Sequence, residues 1–363
     1  MKNSATNITI IGGGASGLAV AALLSRAGVK NTVIEKNVRV GKKLLTTGNG
    51  RCNLGNVSNR ISEKERTFTA YNNPDFVKKI LQNWQGAEHF FKEFGLVTCA
   101  DTEGRLYPYS NTANSVLDTL RRACVHTDFR CETECSKKEF HRLFNTGIVI
   151  WATGNAPLVF LQELGHTIIE PLPSLCPVMT YERLTRPLKG LRIRADASAI
   201  AGEEILKSEY GEVQFGDGFL SGICIMNISR KLAQLFRDYA KSQSPLNLTI
   251  SLDIAPEFNE DEIKQIGYEG LFHSRIVQVL NKNQIPPKDW RFPVTGKAPW
   301  QKSQVMSGGV DVSELNDDLS SKICSTLYII GESLDIDGDC GGYNLEWAWA
   351  CAKRVADSIL RQF

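Results

Sequence analysis

Residues 8–17 read Ile-Thr-Ile-Ile-Gly-Gly-Gly-Ala-Ser-Gly, an apolar run followed directly by a glycine-rich turn. Its first four residues predict a short buried strand of a parallel sheet. The apolar segment 18–27 that follows predicts a helix, and the glycines at positions 12, 14 and 17 fit the spacing G-x-G-x-x-G between strand and helix. The chain therefore opens with a strand, a glycine turn and a helix of the dinucleotide-binding type.

An acidic residue stands where such a unit holds a ribose. Residues 32–34 predict the second strand, and Glu35 closes it 18 residues after Gly17. A carboxylate at this position accepts hydrogen bonds from the ribose hydroxyls, while the helix N-terminus faces the pyrophosphate. These features fit NAD and FAD equally well.

Two later strands favour FAD. Residues 148–152 predict a buried strand that ends at Thr153-Gly154, and residues 327–330 predict another that ends at Gly331-Glu332. FAD is long and lies across the carboxyl ends of such a sheet. We expect the last strand to bring a backbone N–H to the pyrophosphate and a carboxylate to the ribityl chain.

Two loops carry further candidate binding groups. Residues 46–53 read Thr-Thr-Gly-Asn-Gly-Arg-Cys-Asn, which suits the phosphates, the ribityl chain or the ring edge of a flavin. Residues 335–344 read Asp-Ile-Asp-Gly-Asp-Cys-Gly-Gly-Tyr-Asn and precede a closing helix, whose N-terminus would stabilise negative charge on a reduced flavin ring. The aspartates resemble a calcium loop, but the spacing and the closing glutamate of an EF-hand are absent, so we expect no metal site.

The composition changes in the middle of the chain. Residues 170–252 contain prolines and short β-type runs that predict an antiparallel region, and residues 260–281 predict helix. Strands of parallel type lie on both sides of this region. We therefore predict an α/β fold with a Rossmann-like domain of residues 1–155 plus 305–363, and an inserted domain of residues 156–304.

Bulk properties exclude several classes of protein. The chain has 363 residues, a formal net charge of +2 and 42% hydrophobic residues, so no polyanion partner is indicated. The ten cysteines include no C-x-x-C pair. Neither a signal peptide nor a membrane-spanning run is evident, and we expect a cytoplasmic protein without nucleic-acid or membrane partners. The oligomeric state cannot be read from the sequence.

Three segments resemble those of a known family. Residues 10–17, 47–53 and 331–344 are similar to the BaiN/RdsA-type NAD(P)/FAD-dependent oxidoreductases, some of which are described as aminoacetone oxidase family FAD-binding enzymes. Residues 211–215, 218–222 and 307–310 also fit that family, while the turn at Gly216-Asp217 departs from it, and the resemblance runs through nearly the whole chain. It implies FAD as cofactor, redox chemistry, and a β-barrel-like inserted domain that carries a small helical subdomain, placed here near residues 257–290.

Residues and resemblance together predict a flavin site. We expect FAD to be bound by Gly12, Gly14, Ala15, Ser16, Gly17, Glu35, Lys36, Lys43, Gly48, Asn49, Gly50, Arg51, Cys52, Asn53, Thr153, Gly154, Gly331, Glu332, Asp339, Gly341, Gly342, Tyr343 and Asn344. The candidates for catalysis, chosen by loop position, are Cys340, Tyr343 and Arg51.

The expected activity is hydride transfer from NAD(P)H, a transient co-substrate, through flavin N5 to an unsaturated or carbonyl small molecule. The alternatives are a flavin-dependent oxidase of a small amine or ketone using O2, a tRNA-modifying flavoprotein, and a flavin-binding protein without catalysis. The near-neutral charge argues against RNA.

Overall fold

The computed structural model describes residues 7–57, 68–154, 158–240 and 247–362. The chain divides into two compact units: unit 1 contains residues 1–171 and 308–363, and unit 2 contains residues 172–307. The predicted domain boundary at residue 155 falls outside the described residues.

The strands and helices are numbered in chain order. The strands are β1 (Asn7–Ile11), β2 (Asn31–Ile34), β3 (Gly55–Asn56), β4 (Thr98–Ala100), β5 (Arg105–Pro108), β6 (Thr127–Arg130), β7 (Gly147–Trp151), β8 (Ile168–Ser174), β9 (Val178–Met179), β10 (Arg192–Ala201), β11 (Glu204–Phe215), β12 (Phe219–Ser221), β13 (Leu248–Asp253), β14 (Trp290–Pro293), β15 (Val305–Val310) and β16 (Leu327–Ile329). The helices are α1 (Ala15–Arg26), α2 (Pro74–Ile80), α3 (Ala87–Glu93), α4 (Ala113–Ala123), α5 (Lys137–Phe144), α6 (Val159–Glu163), α7 (Glu182–Thr185), α8 (Ile223–Ala240), α9 (Glu260–Ile266), α10 (Tyr268–Leu271), α11 (Ser274–Asn283) and α12 (Tyr343–Leu360).

Unit 1 is built on a five-stranded parallel sheet in the order β16-β7-β1-β2-β6. The strands β1, β7 and β16 are almost continuously apolar because helices cover the sheet. The alanine-rich α1 is nearly fully buried and packs against α12. The strand order changes direction at β1, between β2 and β7, and such a switch point is where open α/β sheets bind ligands.

One predicted helix is wrong. The apolar residues of segment 74–94 suggest one continuous amphipathic helix, but the structure has two short helices, α2 and α3. Asn83 and Gly86 between them adopt positive φ angles of 65° and 92°, which an α-helix excludes. The apolar residues on each side of Gly86 do follow helical spacing, but the chain turns between α2 and α3.

Unit 2 contains a six-stranded antiparallel sheet in the order β14-β13-β10-β11-β12-β9. An antiparallel bridge between Met179 and Gly296, with the Thr295 N–H 3.0 Å from the Met179 carbonyl oxygen, joins the two ends of the sheet. The sheet is therefore barrel-like, and α8 packs against β11. Its core includes the aromatic side chains of Phe215, Trp290 and Phe292.

The predicted helical piece of unit 2 consists of α9, α10 and α11, which are separated at Gly267 and at Phe272-His273. Asn259 and Glu262 form a capping box that starts α9. The α/β class, the Rossmann-like sheet and the barrel-like insertion agree with the sequence prediction.

Among the described helices, none is both long enough and apolar enough to cross a lipid bilayer.

Candidate flavin-binding site

Four strand ends meet at one edge of the parallel sheet. The register pairs Ile11 with Ile34 and with Trp151, and it pairs Trp151 with Ile329. The residues that follow these four positions include Gly12, Glu35, Thr153 and Gly331. Sequence segments that are more than 300 residues apart therefore lie beside one another at the switch point of the sheet.

The glycine turn, residues 12–17, needs glycine at two positions for packing alone. Gly12 has a φ of 105°, and a Cβ there would overlap the Ala152 carbonyl oxygen. A Cβ at Gly17 would overlap the Gly12 carbonyl oxygen. The turn from β1 into α1 is therefore closed by direct backbone contacts.

Gly14 has a different explanation. Its φ is −78°, which any residue adopts, and a Cβ there would meet no heavy atom within 4 Å. Neither the backbone conformation nor the neighbouring protein atoms require glycine at this position. The close approach of a ligand such as a pyrophosphate to the backbone would require glycine here.

Two further observations fit an anion at the glycine turn. No side chain caps the N-terminus of α1, so the N–H groups of its first turn point out of the helix end. The hydroxyl of Thr153 is buried and has no hydrogen-bond partner among the described residues. A phosphate oxygen would satisfy both kinds of donor, and residues 12–17 with Thr153 are thus suited to the FAD pyrophosphate.

Glu35 is oriented for a ribose. Its side chain is 8% exposed, one carboxylate oxygen accepts from the Gly13 N–H at 2.8 Å, and the other accepts from the Asn37 N–H at 2.8 Å. The Asn37 side-chain amide also donates to that second oxygen. Since a carboxylate has about four acceptor positions, one remains for a ribose hydroxyl. Lys36, the next residue, has an exposed side chain.

The ends of β7 and β16 are tied to the loop that follows β2. The Lys43 ammonium lies 2.7 Å from a Glu332 carboxylate oxygen, and the Ser333 hydroxyl donates to the Gly154 carbonyl at 3.2 Å. Gly331 has a φ of 67°, and a Cβ there would lie 2.6 Å from the Ser16 hydroxyl. Five residues of the predicted flavin site therefore lie close together, namely Ser16, Lys43, Gly154, Gly331 and Glu332.

The loop of residues 44–53 is a tight, irregular turn. A 3₁₀ segment over Leu44–Gly50 is interrupted where Gly48 and Asn49 both adopt a φ of 55°, and Gly50 has a φ of 84°. The Arg51 guanidinium lies 4.3 Å from the centre of the Tyr107 ring. Because a guanidinium offers five N–H donors in a planar cation, Arg51 is suited to binding an anion.

Cys52 is a structural residue in this turn. It is completely buried with a φ of 62°, and its N–H donates to the Thr47 carbonyl. Burial raises the pKa of the Cys52 thiol to about 12, so the thiol is neutral and unreactive as a nucleophile at physiological pH. The other cysteine of the flavin loops, Cys340, is only partly buried.

The C-terminal loop, residues 335–344, is clamped by a segment that the sequence did not reveal. Asn72 donates to the Asp335 carbonyl and carboxylate at 3.0 and 3.1 Å and accepts from the Asp337 N–H. The Tyr71 hydroxyl donates to the Tyr343 carbonyl at 3.0 Å, and the two tyrosine rings meet edge to face. The Asp339 N–H donates to the carbonyl of residue 70. Candidate residues Tyr343 and Asp339 are thus fixed by this clamp.

The glycine pair of the C-terminal loop contacts β3. With its amide oriented to satisfy its neighbours, Asn53 accepts from the Gly342 N–H at 3.1 Å and donates to the Gly55 carbonyl at 2.9 Å. Asn56 donates to the Gly341 carbonyl at 3.1 Å. The Asn344 amide bonds both the N–H and the carbonyl of Gly338, which closes the loop just before α12.

Several residues of this region escaped the sequence analysis. They are Asn37, Tyr71, Asn72, Asn73, Tyr107 and Glu346. Each acts through a contact with another segment, and no local motif marks any of them.

A separate open groove in unit 1 has a volume of about 770 Å³. Its lining includes Arg121 and Arg122 at the end of α4, the hydroxyls of Ser110 and Ser115, and Tyr109, which is 75% exposed. The lining shares no residue with the predicted flavin site.

The fold and the site define the class of the protein, which is that of the FAD-dependent oxidoreductases with a Rossmann-like sheet and a β-rich insertion. More specifically, the chain belongs to the HI0933-like family, because the model of the HI0933-like protein Rossmann domain matches residues 6–155 and 146–358. This confirms the resemblance to the BaiN/RdsA-type flavoproteins.

Two curated relatives span nearly the whole chain. The chain is 28% identical to the 3-dehydro-bile acid delta(4,6)-reductase of Clostridium scindens, over 94% of this chain and 96% of that protein. It is 26% identical to the ribosomal RNA dihydrouridine synthase of Haemophilus influenzae, over 100% of both.

Among solved structures, the 3-ketosteroid delta1-dehydrogenase of Sterolibacterium denitrificans, in complex with 1,4-androstadiene-3,17-dione, is similar with a TM-score of 0.52 and 11% identity. The match covers 99% of this chain and 100% of that one. At this identity the likeness shows a shared fold.

Proposed function

We propose that the protein is an FAD-dependent reductase that passes a hydride from NAD(P)H, by way of FAD, to a carbon–carbon double bond conjugated to a carbonyl group. The observation that carries the proposal is that four strand ends meet around a glycine turn. At this turn a Cβ on Gly14 would meet no protein atom, the Thr153 hydroxyl has no hydrogen-bond partner among the described residues, and the Glu35 carboxylate is held by the Gly13 N–H.

The named activities of the two relatives have a chemical feature in common. A 3-dehydro-bile acid with double bonds at positions 4 and 6 is a conjugated ketone, and a uracil ring that becomes dihydrouracil loses a double bond conjugated to a carbonyl. In both cases the substrate gains a hydride on carbon and a proton elsewhere. This shared chemistry supports the substrate class but does not choose between a steroid and a pyrimidine.

The chain's own residues bind and orient the partners. When bound, FAD supplies a ring that accepts and donates hydride. Residues 12–17 and Thr153 hold the pyrophosphate, and Glu35 holds the adenosine ribose. The N-terminus of α12 directs its positive end toward the C-terminal loop, where negative charge is stabilised. Tyr343 and Cys340 are the candidates to supply the proton.

In this proposal the protein has no separate domain that binds NAD(P)H. The sequence contains one G-x-G-x-x-G turn, so NAD(P)H docks transiently near the ring. Anaerobic mixing of the flavin-loaded protein with NADH or NADPH tests this half-reaction, because reduction removes the visible flavin absorbance. A flavin that stays oxidised with both nucleotides would refute the nicotinamide half of the proposal.

The second half-reaction identifies the acceptor. The reduced protein is mixed anaerobically with a conjugated 3-ketosteroid acid, with its saturated analogue as the matched control. Return of the flavin absorbance with the first compound alone supports the proposal. Peroxide formed from an amine or ketone without any nicotinamide would instead select the oxidase alternative.

A second candidate is reduction of a uridine within RNA, which the second relative favours. The groove beside α4 combines two arginines with an exposed tyrosine, and this combination suits a phosphate and a stacked base. Reoxidation of the reduced protein by a uridine-rich ribosomal RNA fragment, but not by free uridine, would select this candidate. Salt-dependent RNA binding that weakens in Arg121→Ala would place the RNA in the groove.

We also infer a cytoplasmic location. All ten cysteines are free, including the exposed Cys99, which suits a compartment with reduced thiols. Thiol titration of the unfolded protein, purified without reductant, should give ten free thiols.

A further inference from the structure

Glu346 is a buried acid in the first turn of α12. Its side chain is 1% exposed. One carboxylate oxygen accepts from the indole N–H of Trp84 at 2.7 Å and from the Ala87 N–H at 2.9 Å, and the other accepts from the Asn56 N–H at 3.1 Å. A single side chain therefore joins α12 to β3, to the start of α3 and to the turn before it.

These contacts favour the ionised form of Glu346. Three N–H donors from the described residues point at the two oxygens. A protonated acid would accept these bonds more weakly and would need an acceptor for its own proton. The carboxylate also lies near the N-termini of two helices, α12 and α3, where a negative charge is stabilised. A negative charge is thus held out of water, where its field is weakly screened.

The position of this charge matters because of what lies one turn away. The Glu346 N–H donates to the Gly342 carbonyl at 3.0 Å, so the acid and the glycine pair belong to the same helical turn. Gly55 contacts both the Glu346 carboxylate and Gly342. A Cβ on Gly55 would overlap the carboxylate, and a Cβ on Gly342 would overlap the Gly55 backbone. Any displacement of Glu346 therefore moves the N-terminus of α12.

We propose that Glu346 is a positioning residue that fixes the N-terminus of α12 beside the flavin ring, and that its charge keeps the reduction potential of the flavin low. This inference rests on the proposed flavin site. The positive end of α12 favours a reduced, negatively charged ring, and the carboxylate in its first turn opposes that effect. The flavin is consequently a stronger hydride donor than the helix alone would allow.

The test is the reduction potential of the flavin in Glu346→Gln, measured by equilibration with a reference dye. The amide keeps the shape and removes the charge. At a fixed solution potential we expect the ratio of reduced to oxidised flavin to rise about tenfold, which corresponds to about 30 mV for a two-electron couple.

A second variant keeps the inference testable if Glu346→Gln fails to fold. Trp84→Phe removes one donor but keeps the charge and an aromatic ring against Phe90. The less compensated carboxylate should then lower the ratio of reduced to oxidised flavin by about threefold. Opposite shifts in the two variants support an electrostatic role, since mere loosening of the helix would shift both in the same direction.

Unchanged potentials, or shifts of the same sign, overturn the inference. If Glu346→Gln does not fold, a rise in the ratio of reduced to oxidised flavin in Trp84→Phe still overturns the inference. The potential is measured without NAD(P)H or substrate, so a failure of the proposed hydride transfer leaves this test intact. A wild-type protein that takes up no FAD would end the proposed function and this inference together.

Discussion

The glycine turn and the C-terminal loop are two parts of one site, and they are built in different ways. The glycine turn is held by backbone contacts, one local between Gly17 and Gly12 and one with Ala152 that the register of the parallel sheet brings close. The C-terminal loop is held by side chains from distant segments, such as Asn72 to Asp335 across 263 residues and Asn56 to Glu346 across 290.

The difference separates two kinds of sequence information. A backbone contact that excludes a Cβ restricts the position to glycine, and glycine at fixed spacing is visible in one sequence. A buried amide or acid that bonds a distant segment follows no such spacing. Substitutions in the glycine turn should therefore change the free energy of unfolding and FAD binding more, and more predictably, than substitutions in the C-terminal loop.

The largest effect is expected for Gly17→Ala. The new methyl group would overlap the Gly12 carbonyl oxygen, and this contact is with backbone rather than with the end of a flexible side chain. We expect a loss of about 3 kcal/mol or more in the free energy of unfolding, together with loss of FAD binding. Urea denaturation and the flavin content of the purified protein measure the two effects.

Gly14→Ala is the matched control for Gly17→Ala, because its methyl group meets no protein atom. The unfolding free energy of the flavin-free protein should change by less than about 0.5 kcal/mol, while FAD affinity should fall by about tenfold or more. Normal FAD affinity in Gly14→Ala would remove the argument that a ligand approaches this backbone.

Gly342→Ala carries the same comparison into the C-terminal loop. Its φ is 106°, and a Cβ there would lie 2.5 Å from the Gly55 carbonyl carbon. We expect a loss of about 2–3 kcal/mol, from backbone strain and from overlap. Gly341→Ala shares a positive φ of 121° but has its nearest neighbour at 3.5 Å, so about 1 kcal/mol is expected. If Gly342→Ala and Gly341→Ala lost the same free energy of unfolding, overlap with β3 would be shown to be unimportant.

Asn72→Asp tests the side-chain clamp. The substitution removes the two hydrogen bonds to Asp335 and places a negative charge beside that carboxylate. We expect a loss of about 2 kcal/mol in the unfolding free energy and weaker retention of flavin. Asn73→Asp is the control, because Asn73 contacts the same aspartate from an exposed position and its charge is screened by water. A larger loss in Asn73→Asp would contradict this account of the clamp.

Much of unit 1 could be predicted from sequence, because strand ends and glycines report the backbone directly. The four strands that surround the switch point were all predicted, and so was the closing helix. The edge strand β6 was not predicted: its four residues, Thr-Asp-Phe-Arg, lack a continuous apolar run because this strand lies at the margin of the sheet.

The C-terminal loop shows where sequence information stops. Its own residues were selected as candidates, but Tyr71, Asn72 and Glu346, which hold it, were not. The error at segment 74–94 has the same origin. Apolar periodicity predicted a continuous helix, yet the chain breaks before Ala87. The buried N–H that starts the new helix is bonded by Glu346 from the other end of the chain. Long-range contacts of this kind leave no period to detect.

The smallest effect concerns Cys52 and depends on pH. Burial raises the pKa of this thiol from about 9 to about 12, so the folded state keeps the proton after the unfolded state has released it. The stability that this group contributes is complete below pH 9 and is lost as the pH rises from about 9 to about 12. Between pH 8 and pH 10 the wild-type protein should therefore lose about 1.4 kcal/mol more of its free energy of unfolding than Cys52→Ala.

The exposed Cys99 provides the control, and the free energy of unfolding of Cys99→Ala should follow that of the wild type. An identical pH dependence for Cys52→Ala and the wild type would show that Cys52 is reached by solvent, and the turn of residues 44–53 would then be far looser than its contacts with Tyr107 and β3 imply.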